Sequence, residues 1–145
     1  MKEHVAKIKS ILFACETQNL LSASDDLCIK KWPLAKFLTK NQNPQIENGD
    51  SEETNETSSV DTVKIASDSI NSVAISDDEK YVAVARTNPA ILVLDFDDLK
   101  VRGELNGHRK AVWDVKFLQR EKILLSCSSD KTVRVWSLRN MSCLK

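Results

Sequence analysis

GHRKAVWDVKFLQREKILLSCSSDKTVRVW, residues 107–136, reads as three short strands separated by turn chemistry. The first is apolar at Val112, Val115 and Phe117, the second runs Leu124-Leu125-Ser126-Cys127-Ser128, and the third is Val133-Arg134-Val135-Trp136. β-Branched and aromatic residues fit a pleated, half-buried surface, and Ser129-Asp130 is a turn signal between the runs. Counting from His108, Ser126 lies 18 residues on, Asp130 22 and Trp136 28. The same series starts at His4, where Ser22, Asp26 and Trp32 keep all three spacings at a constant displacement of 104 residues. Four chemically distinct residues held at one offset mark an internal repeat.

A third copy lies between them. Ile70-Asn71-Ser72-Val73-Ala74-Ile75 matches Val112–Phe117 at an offset of 42, and strands at 81–85 and 90–94 follow it. This copy has Ala66, Val84, Asn88 and Leu94 where the others have His, Ser, Asp and Trp. Their joint loss implies that the four act as one unit in the other two copies. Residues 90–94 are apolar throughout and are expected to be buried on both faces, whereas 133–136 alternate like a half-buried strand. A fourth strand is predicted in each unit: 62–65, Val101–Leu105, and one starting at Ser142-Cys143-Leu144-Lys145, where the sequence stops. The units therefore fall at about 3–66, 67–105 and 106–145 within one all-β assembly over 1–145. First and second units are offset by 62, so the first carries 20 extra residues. They fall at about 40–61 (NQNPQIENGDSEETNETSSVD), an acidic stretch predicted to be a solvated, disordered loop. Ser58, three residues before Asp61, is a candidate phosphorylation position there, and the sequons at Asn55 and Asn140 carry no weight without a secretion signal.

The sequence of 145 residues is 41% hydrophobic and 29% charged, as in soluble globular proteins. No apolar run is long enough to span a membrane and none follows the start, so an intracellular protein without a membrane partner is expected. Cys15, Cys28, Cys127 and Cys143 form no C-x-x-C pair and read as reduced thiols; neither a metal nor another cofactor is expected. The zero net charge hides a pattern. Residues 1–40 carry 7 Lys/Arg against 4 Asp/Glu, 41–99 carry 3 against 13, and 100–145 carry 11 against 4. Basic ends beside an acidic middle can steer an anionic partner such as RNA; solvated strand faces explain the same counts, and no stacking platform favours the former.

His108, Ser126 and Asp130 together invite a hydrolase reading, with nucleophile, base and orienting carboxylate. Three features oppose it. The set is duplicated as His4, Ser22 and Asp26, no Gly-x-Ser-x-Gly elbow accompanies either serine, and a tryptophan sits at a fixed distance that acyl transfer does not need. A hydrogen-bond chain accounts for all four residues. The indole N–H needs an acceptor when buried, serine accepts and donates onward, histidine relays, and an aspartate in a tight turn receives. No residue is therefore assigned as catalytic, and no small-molecule substrate is expected.

Gly107-His108, Asp130 in the turn and Trp136 at the end of the third strand resemble the WD-repeat family. The likeness covers 3–38 and 106–145 well and 62–105 weakly. The sequence departs from the family in reading Trp32-Pro33, Leu94-Asp95 and Trp136-Ser137 at the naming dipeptide, and Glu3-His4 where Gly-His is usual. The resemblance implies a β-propeller of four-stranded blades that removes free sheet edges by closing. Three blades form only a partial propeller that does not close on its own, so the sequence is expected to belong to a longer chain. It also implies partner binding on the top face. The matching positions are Lys7, Lys9 and Asp25; Ser69, Asn71 and Thr87; Ala111, Trp113 and Ser129. Trp113 is either an exposed anchor or, sharing a strand face with Val115 and Phe117, part of the core.

EHVAKIKSILF, SASDDLCIKKWPL, SINSVAISDDEKYVAVA, GHRKAVWDVKF and SLRNMSCLK, in that order and with an insert after the first unit, are similar to the second propeller of nucleolar WD-repeat scaffolds of the small-subunit processome. That narrower resemblance implies a non-enzymatic scaffold in ribosomal RNA processing and ribosome biogenesis. Its partners are expected to be protein subunits of a large assembly, with a box C/D small nucleolar ribonucleoprotein and precursor rRNA reached indirectly. A generic WD-repeat adaptor of a signalling or ubiquitin-ligase complex is the alternative.

Overall fold

The computed structural model describes residues 4–34, 61–64, 68–118 and 121–145. Every regular element among them is a strand. β1 (Ile8–Ala14), β2 (Asn19–Ser24), β3 (Cys28–Pro33) and β4 (Asp61–Lys64) form the first antiparallel sheet, in that order. β5 (Ile70–Ile75), β6 (Tyr81–Arg86), β7 (Ile91–Asp95) and β8 (Val101–Leu105) form the second. β9 (Val112–Phe117), β10 (Ile123–Ser128), β11 (Val133–Ser137) and β12 (Ser142–Cys143) form the third. We refer to the sheets as blades 1, 2 and 3. The third blade's fourth strand is complete enough to pair: Leu144 N donates to Val135 O at 2.7 Å and Val135 N to Lys145 O at 2.9 Å. The acidic insert, apart from Asp61 in β4, lies outside the described residues, as does Ala66.

Blade 2 is the middle layer, and its two faces form two cores. Val73, Val82, Leu92 and Leu94 pack on Leu21, Ala23 and Ile29 of blade 1. Ala83, Ala85, Ile91 and Val93 pack on Val112, Val115, Leu124 and Trp136 of blade 3. Ala90 and all of β7 up to Leu94 are buried, because a strand with a sheet on each side has no solvated face. In β11, Val133 is exposed while Trp136 is fully buried. Among the described residues, blade 3 has a neighbour on one side.

Polar links staple the layers at both ends. Glu79, at the β5–β6 turn, accepts hydrogen bonds from Glu16 N, Thr17 N and the Thr17 hydroxyl at 2.7–2.9 Å. Lys31 Nζ reaches the Phe96 and Asp97 carbonyls of blade 2. Between blades 2 and 3, Ser72 donates to Asp114 at 2.6 Å and Asn71 Nδ2 to Val112 O at 2.8 Å. All four cysteines are free thiols.

Each blade repeats one irregularity. Register shifts fall between Ile8 and Ser10, between Ile70 and Ser72, and where Cys127 pairs Asp114 but Ser128 pairs Val112. Lys9, Asn71 and Trp113 are therefore the extra residue of a β-bulge in equivalent places. A bulge re-aims the side chain that it leaves unpaired.

Candidate functional site

In blade 3 the Trp136 indole donates to Ser126 Oγ at 2.7 Å, and Ser126 Oγ lies 2.7 Å from His108 Nε2. His108 Nδ1 lies 2.9 Å from Asp130 Oδ2. Since the serine accepts from the indole, its own proton points to Nε2, which leaves Nδ1 to carry the proton toward aspartate. Asp130 also accepts from the Arg109 and Thr132 amides at 3.0 Å and from the Thr132 hydroxyl at 2.6 Å. That hydroxyl is the main reason the carboxyl sits well below the usual carboxylate range; burial opposes the shift, and the Arg109 amide and His108 assist it.

Blade 1 builds the same unit. Trp32 Nε1 donates to Ser22 Oγ at 2.8 Å, Ser22 Oγ lies 2.8 Å from His4 Nε2, and His4 Nδ1 lies 2.7 Å from Asp26 Oδ2. Burial pushes the Asp26 carboxyl up, but hydrogen bonds from His4, Cys28 N and Val5 N outweigh it and hold it low. All eight residues singled out by spacing are thus assembled into two four-membered chains.

Sequence reasoning missed a second layer. Ser24 Oγ donates to Ala6 O and accepts from Asp26 N, and Ser128 Oγ does the same with Lys110 O and Asp130 N. The signal was present as Ser-x-Ser-x-Asp at 22–26 and 126–130. Leu27 and Lys131, next to the turn aspartates, share a φ of 68°, a left-handed conformation that suits an aspartate-led turn. Gly107 has its own reason: a Cβ there would stand 2.9 Å from Trp136 Cη2 and 3.0 Å from Arg134 Nη1. The residue before His4 lies outside the described residues.

Blade 2 replaces the chain by other means. Val84 and Leu94 are fully buried, and Asn88 Oδ1 accepts from Ala90 N at 2.9 Å. Arg86, also buried, donates through Nε and Nη2 to Ala90 O and through Nη2 to Glu104 at 3.2 Å. Its Nη1 lies 3.8 Å from Asp68. No composition cue distinguishes such an arginine from a surface one.

The nine positions carried over from the family lie in one row across the three blades. Asp25 N donates to Lys7 O, Thr87 N to Ser69 O and Ser129 N to Ala111 O, at 2.9–3.0 Å in every blade. Ser69 bridges to Asp25 at 2.7 Å, and Lys9 Nζ lies 3.4 Å from the same carboxylate. The Ser69 hydroxyl is the first cause of the lowered Asp25 pKa. Trp113 is 55% exposed, and its indole donates to Ser129 Oγ at 2.6 Å. The core reading of Trp113 is thereby corrected: the bulge takes it off the face shared by Val112 and Val115. Among the described residues, no group of three His, Cys, Asp or Glu is placed to hold a metal ion.

Residues 99–137 match the WD40 family, described as WD domain, G-beta repeat. A WD repeat-containing protein 89 homolog of Dictyostelium discoideum is 35% identical over 80 residues, which is 48% of this chain and 22% of that protein. Human Striatin-4 is 26% identical over 147 residues, covering 94% of this chain and 18% of that one. The chain thus spans only about a fifth of the length of these curated relatives. Two solved structures, of U3-55K and of the RRP9 WD40 repeats, superpose over 99% of the chain with a TM-score of 0.79 at 22% identity. This chain covers 40% and 39% of theirs, and the likeness is one of fold. A blade built three times over, with the WD40 repeat matched over residues 99–137, gives this chain a WD40 repeat within a propeller-type fold.

Proposed function

We propose that the chain is a non-catalytic WD-repeat scaffold, working in ribosomal RNA processing and small ribosomal subunit biogenesis in the nucleolus. The observation that carries the non-catalytic part is the fate of the two serines. Ser22 and Ser126 have the connectivity of a nucleophile beside a base, yet each is only 3% exposed and already accepts an indole N–H. A substrate carbonyl has no route to either oxygen, and a nucleophile in a working triad needs one. The chain His–Ser–Trp instead fixes the loop entering the blade to its second and third strands.

The nucleolar part rests on the ordered resemblance to processome scaffolds, whose segments become strands and turns of all three blades. It agrees with the fold likeness to U3-55K and the RRP9 WD40 repeats. In this reading the row from Lys7 to Ser129 contacts protein subunits, with Trp113 as anchor, since exposed aromatics dominate interface energetics. A small nucleolar ribonucleoprotein and precursor rRNA are reached through those subunits. Affinity capture of the tagged protein, with mass spectrometry and RNA sequencing, tests this. Enrichment of processome subunits and precursor rRNA is expected; a different stable assembly without them overturns the nucleolar assignment.

One observation favours the second reading, a WD-repeat adaptor of a signalling or ubiquitin-ligase complex. Relatives with unrelated names, Striatin-4 and the human apoptotic protease-activating factor 1, match 94% and 97% of the chain at 26% and 22% identity. The same capture experiment separates the two.

A further inference from the structure

The seam between blades 1 and 2 and the seam between blades 2 and 3 differ at one end. At the first, Glu79 accepts from Glu16 N, Thr17 N and the Thr17 hydroxyl, and so ties the β5–β6 turn to the β1–β2 turn. The repeat places Glu121, 42 residues after Glu79, in the β9–β10 turn of blade 3. The blade 2 counterparts of Glu16 and Thr17, 62 residues on, are Asp78 and Glu79. Where blade 1 offers Glu121's counterpart a hydroxyl, blade 2 thus offers a second carboxylate, and like charges repel. Asp78 turns back into its own loop: it accepts from the Ser76 hydroxyl at 2.8 Å and lies 3.8 Å from Lys80 Nζ. Glu121 is exposed, and among the described residues nothing bonds to its carboxylate.

The second seam therefore stays open as a cleft of about 140 Å³. Pockets for drug-sized ligands start at about 300 Å³, so this space suits a single side chain. Tyr81, Phe117 and Leu138 give the cleft an apolar lining, and Asp77, Asp78 and Glu121 bring three carboxylates to it against the one ammonium of Lys122. That ammonium is drawn over the Tyr81 ring, 5.6 Å from its centre, and Arg102, paired with Asp95, lies 5.0 Å from it. A cation on an alkyl stem is the chemistry that this ring already holds.

We propose that the cleft takes a lysine or arginine side chain from a basic segment of a protein partner. The stem lies on Tyr81 and Phe117, and the charge sits among Asp77, Asp78 and Glu121. Both walls belong to adjoining blades within the chain, at the strand ends opposite the row from Lys7 to Ser129. The cleft is thus a second contact site, independent of that row and of the nucleolar assignment.

An array of peptides with lysine, arginine, leucine or glutamate fixed at the centre of a small-residue background, probed with the full-length protein, reads the outcome. Lysine- and arginine-centred peptides are expected to retain the protein, and leucine- and glutamate-centred ones are not, with retention falling as salt rises. Glu121→Lys should lower retention about tenfold or more while leaving the melting temperature in place. Asp77→Lys, also at an exposed position, serves as the second variant if Glu121→Lys does not fold. Equal retention by leucine-centred peptides, or a preference for glutamate-centred ones, overturns the proposal. So does retention that both charge reversals leave unchanged, or no retention by any peptide.

Discussion

Blades 1 and 3 hold the same four-residue chain in different surroundings. Corresponding His–Asp, His–Ser and Ser–Trp distances agree within 0.2 Å, yet Trp136 is fully buried against blade 2 while Trp32 is half-buried. Local spacing sets the geometry of the unit and buries its histidine, serine and aspartate alike, and the neighbouring blade sets how dry the indole is. Apolar contacts gain from exclusion of water, so the tryptophan contributes unequally at its two sites. Blade 2 adds a third case: with apolar neighbours on both sides it dispenses with the chain and keeps one arginine clasp.

The largest difference should come from the tryptophans. Trp136→Ala removes a fully buried ring and is expected to cost about 3–5 kcal/mol, a large part of a domain's stability. Trp32→Ala should cost less, about 2 kcal/mol, since that residue is only partly buried. Urea unfolding of both variants measures this, and equal costs would break the comparison.

Acid sharpens it next. Asp26 and Asp130 both have carboxyls held below the ordinary value of about 3.9. A lowered folded-state pKa means that the unfolded chain binds protons first, so stability is full above about pH 4 and falls as the pH drops toward the folded-state values. Asp130→Asn should be less stable at neutral pH and lose less on acidification, as read from thermal unfolding between neutral and acidic buffers. An unchanged acid profile would separate the aspartate from the unit.

The smallest stability effect belongs to Trp113. It is exposed, and away from buried features substitutions stay within about 0.5 kcal/mol. Trp113→Ala should leave the melting curve in place while abolishing capture of the protein partner. A large loss of stability would return the residue to the core.

Spacing alone exposed the eight residues of the two chains, because a duplicated pattern is visible without knowing what any residue touches. Strand positions were legible for a similar reason: β-branched runs between turn residues carry their own period. The bulge was not. Trp113, Val115 and Phe117 are spaced like one face of a strand, and a single extra residue opposite Cys127 and Ser128 leaves no mark in hydrophobic periodicity. Arg86 was hidden because a lone arginine at a strand end reads as solvated, whereas here Asp68, Glu104 and Ala90 O converge on it. The unequal burial of Trp32 and Trp136 was hidden too, since burial depends on the adjoining layer and not on the repeat itself.

The central claim is that serine and tryptophan act as parts of one hydrogen-bonded unit, and a double-mutant cycle measures it directly. Ser126→Ala, Trp136→Phe and the double variant are compared by urea unfolding. Ser126→Ala strands the indole donor, at a cost of about 1–3 kcal/mol, and Trp136→Phe removes that donor. The account predicts a coupling of about 1–2 kcal/mol, with the double variant less destabilised than the sum of the single ones. Additive effects, with coupling near zero, would contradict it.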